Sequence, residues 1–174
     1  YMESLSFQIF PGICTGFIVA PEGFQAALAG ARMMTDRFQS EYRQALLAEY
    51  LESSSYESYL RRLGRQYRLR TAFFLRTASR RLAPFGFVQR PASGAFIVLL
   101  LAPGIPDAAV KRRLAGSLVC RALSGYSRTE AKRNGLVLGI GSFSEKEITD
   151  GIELIAQACR WVRDHRTCEG DAGA

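Results

Sequence analysis

Hydrophobic and polar positions change their period several times along the chain, and each change marks an element. Thr15–Pro21 is a short run rich in β-branched and aromatic residues, preceded by the Pro11-Gly12 turn signal and closed by Pro21. It predicts a strand. From Glu22 to Leu51 apolar residues recur at helical spacing (Phe24, Ala27, Leu28, then Ala45, Leu46, Tyr50), which predicts two helices broken near Gln39–Ser40. Ser53-Ser54-Ser55 supplies N-cap candidates, with Glu57 in the first turn. A long helix follows to about Leu82, ended by Ala83-Pro84. Gly94–Leu101 is the clearest strand. Pro106-Asp107 opens a helix with Asp107 as its cap, and residues 117–122 and 136–140 are further short strands. Ser144 followed three residues later by Glu147 is a capping-box pattern ahead of an amphipathic run to about Val162. The tail from Asp164 is polar and expected to fray.

Helices alternating with single short strands predict an α/β layer structure. Composition agrees with a globular domain, at 48% hydrophobic and 22% charged residues. The longest apolar run, Ala95–Ala102, is too short to cross a bilayer, and no secretory leader pattern stands at Tyr1. One histidine (His165) and four cysteines without C-x-x-C spacing exclude a zinc site of ordinary type. The cysteines read as reduced thiols of a cytoplasmic protein, with Cys14 expected to be buried. The formal charge is +7, and 20 of the 23 basic residues are arginine. Eight of these arginines fall between Arg61 and Arg81 with no acidic residue among them. Such a stretch is a solvated face unless its charges cluster on one side, where they would suit an anionic partner. The aromatic residues Tyr56, Tyr59, Tyr67, Phe73 and Phe74 share helical spacing and are expected in the core.

Residues 1–21 carry Tyr1, Ser6, Phe10, Pro11, Gly12, Gly16, Phe17, Val19 and Pro21 in a spacing that resembles the cofactor-lysine segment of fold-type I PLP enzymes. It resembles especially the aminotransferase-like domain of the MocR subfamily of GntR-type transcriptional regulators. Three further segments are similar to the same family in the same order: 50–70, Gly94–Asp107, and Leu123–Tyr126 with Arg133–Ile148. The resemblance implies a remnant of the large domain over residues 1–49 and the small C-terminal domain over 50–174. It places Ser4 and Ser6 at positions lining the cofactor phosphate, Phe7 at the Schiff-base lysine, and Cys14 at the phosphate-binding arginine. Phenylalanine has no amine to form an aldimine, and a neutral thiol cannot replace a bidentate guanidinium. By resemblance the cofactor is PLP; with these residues none is expected to be held, and no metal. Val137 stands where related aminotransferases often carry arginine for the substrate carboxylate.

The resemblance also implies that the winged helix-turn-helix, and the strand bearing the aspartate that pairs with the pyridine nitrogen, lie ahead of Tyr1. Contact with DNA would then be made through that separate N-terminal domain. The expected protein is a non-catalytic effector region, self-associating or completed by a partner chain, with no membrane role. A fragment of an active aminotransferase and a basic nucleic-acid-binding module are the alternatives.

Overall fold

A computed structural model describes residues 1–35, 40–91, 94–128 and 133–169, the side chains of Phe7, Pro11 and 166–169 excepted. The chain forms two compact units, Tyr1–Arg62 and Leu63–Ala174. The first opens with an antiparallel ribbon of β1 (Met2–Ser4) and β2 (Gly16–Ile18), joined through two 3₁₀ turns at Leu5–Phe7 and Pro11–Ile13. Helices α1 (Glu22–Thr35) and α2 (Glu41–Glu52) follow. The break expected at Gln39–Ser40 falls partly outside the described residues; Ser40 itself caps α2, its hydroxyl accepting from Arg43 N–H at 3.2 Å. Helix α1 has no buried residue, so its apolar stripe, including Phe24 and Leu28, faces outward.

Helix α3 (Ser54–Arg81) begins in the first unit and ends in the second. The Ser53 hydroxyl accepts from Tyr56 N–H at 3.3 Å, the expected cap. In the second unit a four-stranded antiparallel sheet runs in the order β3 (Gly86–Gln89), β4 (Phe96–Leu101), β6 (Gly135–Gly139), β5 (Arg121–Ala122). The sequence pattern predicts the pairing of β4 with β6, and Leu99 sits opposite Leu136. Ile97, Leu99 and Leu101 of β4 are buried, alternating with less buried neighbours, as in a sheet with one face packed. Gly135 lies so close to the next strand that a Cβ would stand 2.5 Å from the Leu99 carbonyl oxygen, so a side chain there would part the two strands.

The core joins that sheet face to Phe74, Ala78 and Leu82 at the end of α3, to Val110 and Leu114 of α4 (Asp107–Leu114), and to α5 (Glu145–Glu169). Along α5 the buried positions are Ile148, Ile152, Ile155, Ala156, Ala158, Cys159 and Val162, the stripe expected of an amphipathic helix. Its capping box forms in both directions: Ser144 N–H donates to Glu147 Oε2 at 2.8 Å, and Glu147 N–H to Ser144 Oγ at 3.3 Å. Ser144→Ala should therefore lower stability by about 1 kcal/mol, read as a lower urea midpoint with unchanged slope.

Four expectations need correction. Strand β5 spans two residues rather than 117–122, because Ser117 and Leu118 N–H groups bond Leu114 O and end α4 in a turn. Helix α5 continues past Val162 to Glu169, and His165 stacks on Trp161 at 4.3 Å instead of lying in a frayed tail. Strands β1 and β3 have no counterpart in the sequence pattern, each being three or four residues long. Asp107 is the first helical residue and not a cap; Pro106 occupies the cap position.

Candidate functional site

The 1–21 segment folds into a hairpin whose turns carry the positions singled out above. Ser4 pairs with Gly16, and Leu5 N–H donates to Thr15 O at 2.9 Å, so Ser4 lies across the ribbon from the residues following Cys14. Gly16 is required here, since a Cβ would meet Glu3 O at 2.5 Å. Ser4 and Ser6 are half-buried, and the Ser4 hydroxyl does not cap the following 3₁₀ turn. Cys14 is exposed, not buried as expected, and holds φ at +46°. The left-handed region costs an L-residue roughly 1–2 kcal/mol, and this conformation turns the chain from the Pro11–Ile13 turn back into β2.

Phe7 closes the first 3₁₀ turn. The residue after it is held from α3: Tyr59 Oη donates to the Gln8 carbonyl at 2.7 Å and Tyr56 Oη to Gln8 Oε1 at 3.2 Å. These two tyrosines were expected in a core. Their rings are half-buried and their hydroxyls fix the loop, a role that spacing alone does not disclose because Gln8 lies 48 and 51 residues away. Of the other three aromatics, Phe74 is buried in the core and Phe73 packs against it. Beside the loop an open groove of about 430 Å³ is lined mainly by Ile9, Phe10, Ile13, Leu46, Leu47 and Tyr50.

The donor set around Ser4, Ser6, Phe7 and Cys14 can be compared with what PLP requires. Residues 1–62 contain no lysine. The positions at issue offer two hydroxyls and one thiol, neither a primary amine for an aldehyde nor a guanidinium for a phosphate dianion. This set does not fit a covalently held PLP. In the second unit Val137 lies in β6 between Val98 of β4 and Arg121 of β5. The guanidinium beside it, Arg121, donates to Tyr126 Oη at 3.2 Å. Burial pushes the Cys159 thiol up to about 12 and raises that of Cys120, so both are protonated and inert near neutrality. Among the described residues no three or more His, Cys, Asp or Glu residues group as metal ligands.

The most developed polar constellation in the second unit is built from the other family-like segments. The Asp107 carboxylate, 3% exposed, accepts from Ser124 N–H at 2.8 Å, Ser124 Oγ–H at 2.8 Å and Gly135 N–H at 3.1 Å. Asp107 N–H donates to Asn134 Oδ1 at 2.9 Å, and Asn134 Nδ2 reaches Ile105 O at 3.0 Å and Leu101 O at 3.3 Å. Burial opposes ionisation of Asp107, but the hydrogen bonds from Ser124, Gly135 and Ala108 outweigh it, and the carboxyl lies below its ordinary value. This saturated cluster ties α4 to β6 and to the turn after β5. Its chemistry is structural, since its oxygens are turned to main-chain donors and to the Ser124 hydroxyl.

No family model matches the chain. Among curated proteins it is 26% identical to the probable rhizopine catabolism regulatory protein MocR of Rhizobium meliloti, over 91% of this chain and 32% of that protein. It is 28% identical to the HTH-type transcriptional regulator TauR of Rhodobacter capsulatus, over 92% and 33%. It is 30% identical to the HTH-type pyridoxine biosynthesis transcriptional regulator PdxR of Corynebacterium glutamicum, over 88% and 35%. The chain thus spans about a third of the length of the curated relatives it matches. Two solved structures share its fold. One is LysN, the α-aminoadipate aminotransferase of Thermus thermophilus, with TM-score 0.81 and 23% identity over 93% of this chain and 42% of that one. The other is the multiple substrate aminotransferase of Thermococcus profundus, with TM-score 0.82 and 18% identity over 95% and 41%. Over most of its length the chain is similar to MocR/GntR-type HTH regulators, and its fold is part of the α/β fold of the aminotransferases.

Proposed function

We propose that this chain is the aminotransferase-like regulatory part of a MocR/GntR-type transcriptional regulator, with a degenerate PLP site and no transaminase activity. Residues 1–49 would be the large-domain remnant and 50–174 the small domain. The observation that carries the reading is Phe7 at the lysine position of the family-like segment, in a stretch of 62 residues without lysine. Cys14 in place of the phosphate arginine supports it, because a cysteine side chain lacks the bidentate guanidinium that grips a phosphate dianion. Ser4 and Ser6 are the surviving hydroxyls of that phosphate site. DNA would be read by a separate helix-turn-helix domain, as the HTH names of the relatives suggest. Self-association, or a partner chain completing the large domain, belongs to the same proposal. Among the described residues no helix is long and apolar enough to cross a membrane, which accords with a cytoplasmic regulator.

The test is direct. The chain is incubated with PLP, reduced with borohydride and mapped by mass spectrometry. No stoichiometric pyridoxyl adduct is expected, and absorbance near that of an internal aldimine should not develop. A specific adduct on Lys111, Lys132 or Lys146 would overturn the degenerate-site reading.

A further inference from the structure

The arginines of α3 do cluster. On a helix turning about 100° per residue, Arg65, Arg68, Arg76 and Arg80 fall within a sector of about 120°, and all four are exposed. The opposite side of the same helix carries Phe74 and Ala78, which are buried in the core of the second unit. The helix is thereby fixed with its cationic face outward. Among the described residues, its ion pairs are at its two ends, Arg61 with Glu57 and Arg81 with Glu153. Arg70, off this face, donates instead to the Gly141 carbonyl. Arg76 stands over the Phe73 ring at 5.9 Å, which leaves its guanidinium edge open to an anion.

Two further facts separate this face from an ordinary solvated one. Like charges three or four residues apart on a helix destabilise it, and a solvated helix face relieves that repulsion by interleaving acidic residues. None occurs between Arg61 and Arg81. The charge is also unevenly divided along the chain: residues 1–62 hold five basic and seven acidic residues, whereas 63–174 hold eighteen and nine, a formal −2 against +9. One of those nine acids, Asp107, is buried among its own donors and adds little to the surface.

We propose that the Arg65–Arg68–Arg76–Arg80 face of α3 is a binding surface for the phosphate backbone of duplex nucleic acid, engaged without regard to base sequence. It would be a contact made by this part of the protein itself, additional to any helix-turn-helix domain. At a helical rise of about 1.5 Å per residue the row runs about 22 Å from Arg65 to Arg80. That length spans six or seven base pairs of the duplex axis at about 3.4 Å each, so the row can meet phosphates on either side of a groove. Guanidinium groups match phosphate oxygens bidentately. An anionic membrane is the poorer fit, because a surface-lying helix must offer its apolar face to lipid, and here that face is committed to the core.

The experiment uses the full chain and a fluorescent 20-base-pair duplex of arbitrary sequence, followed by anisotropy between 50 and 200 mM KCl. Four phosphate contacts predict a slope of log affinity against log salt of about −3 to −4. The combined variant R65Q/R68Q/R76Q/R80Q keeps good helix formers at every site; it should lose at least about tenfold in affinity at 50 mM, with a slope near zero. The single variant R68Q should flatten the slope by about 0.9, and serves if the combined variant does not fold. The control is K111Q/R112Q/R113Q on the exposed face of α4, which should bind within about threefold of the parent chain if net charge alone is a minor term. No duplex binding at 50 mM, an equal loss in the α4 control, or binding to phosphatidylserine vesicles in place of the duplex would each overturn the proposal.

Discussion

Asp107→Ala is expected to cost about 3 kcal/mol, because it leaves one buried and one part-buried main-chain donor without partners at about 1–3 kcal/mol each and opens a small void beside them. The donors are the N–H groups of Ser124 and Gly135, which the Asp107 Oδ2 atom accepts together. A domain of this size has about 5–15 kcal/mol in all, so the variant should unfold at a much lower urea concentration or fail to accumulate. Asp107→Asn is the gentler probe. It keeps a carbonyl oxygen in Oδ2's role but puts an amide N–H₂ where Oδ1 accepts from the Ser124 hydroxyl, and about 2 kcal/mol should be lost. An unfolding free energy for Asp107→Ala, from urea titration, within about 0.5 kcal/mol of the parent protein would show that the cluster is dispensable.

The same residue gives a pH dependence whose sign is fixed. The folded-state carboxyl lies below its ordinary value of 3.8. The stabilisation it contributes is therefore complete above the unfolded-state value and fades as pH falls through the folded one. As pH falls below about 4, stability of the parent protein should decline more steeply than that of Asp107→Asn, which has no proton to take up there. Equal slopes for the two would remove Asp107 from the acid transition.

What could be read in the sequence divides along a physical line. Local signals were legible: Ser144 with Glu147, the Ser53 cap, the α5 stripe, and the apolar runs that pair as β4 and β6. Each depends on neighbours within a turn or on burial of a continuous run. The Asp107 cluster was not legible as a cluster, though its members stand in two separate family-like segments. Its partners lie 17 and 28 residues away, and Pro-Asp at a helix start reads first as a cap. Strand β3 was missed because Gly86–Gln89 is too short for alternation to register. The site positions Ser4, Ser6, Phe7 and Cys14 came from resemblance, and their side-chain chemistry was readable at once. The exposure of Cys14 was not, since a lone cysteine is buried more often than not. The tyrosine pair that holds Gln8 escaped for the same reason as Asp107: the loop and α3 meet across some fifty residues.

The second large effect concerns the unequal cores of the two units. Among the described residues, the buried apolar side chains of 1–62 are Leu5 and Leu47, whereas the second unit joins its sheet, α4, α5 and the end of α3 in one buried cluster. Exposed at the same time are Phe17, Ile18 and Val19 of β2 and its flank, and Phe24, Leu28, Met33 and Met34 on α1. Fully burying one such side chain is worth about 1.5–3 kcal/mol, so the first unit forgoes several such contributions while it stands alone. Two outcomes relieve this: the apolar surface is covered by another copy or a partner, or the segment opens. Chymotrypsin, which cuts after Phe and Tyr, should thus cleave the dilute chain between residues 10 and 42 far sooner than beyond residue 63. A difference in opening free energy of about 4 kcal/mol corresponds to roughly a thousandfold in cleavage rate when reclosing is fast. Raising the protein concentration should slow only those early cuts if copies cover the surface, in step with a rise in mass by sedimentation equilibrium. A monodisperse monomer at every concentration, cut no faster before residue 42 than after residue 63, would show that β2 and α1 are stable with their apolar faces in water.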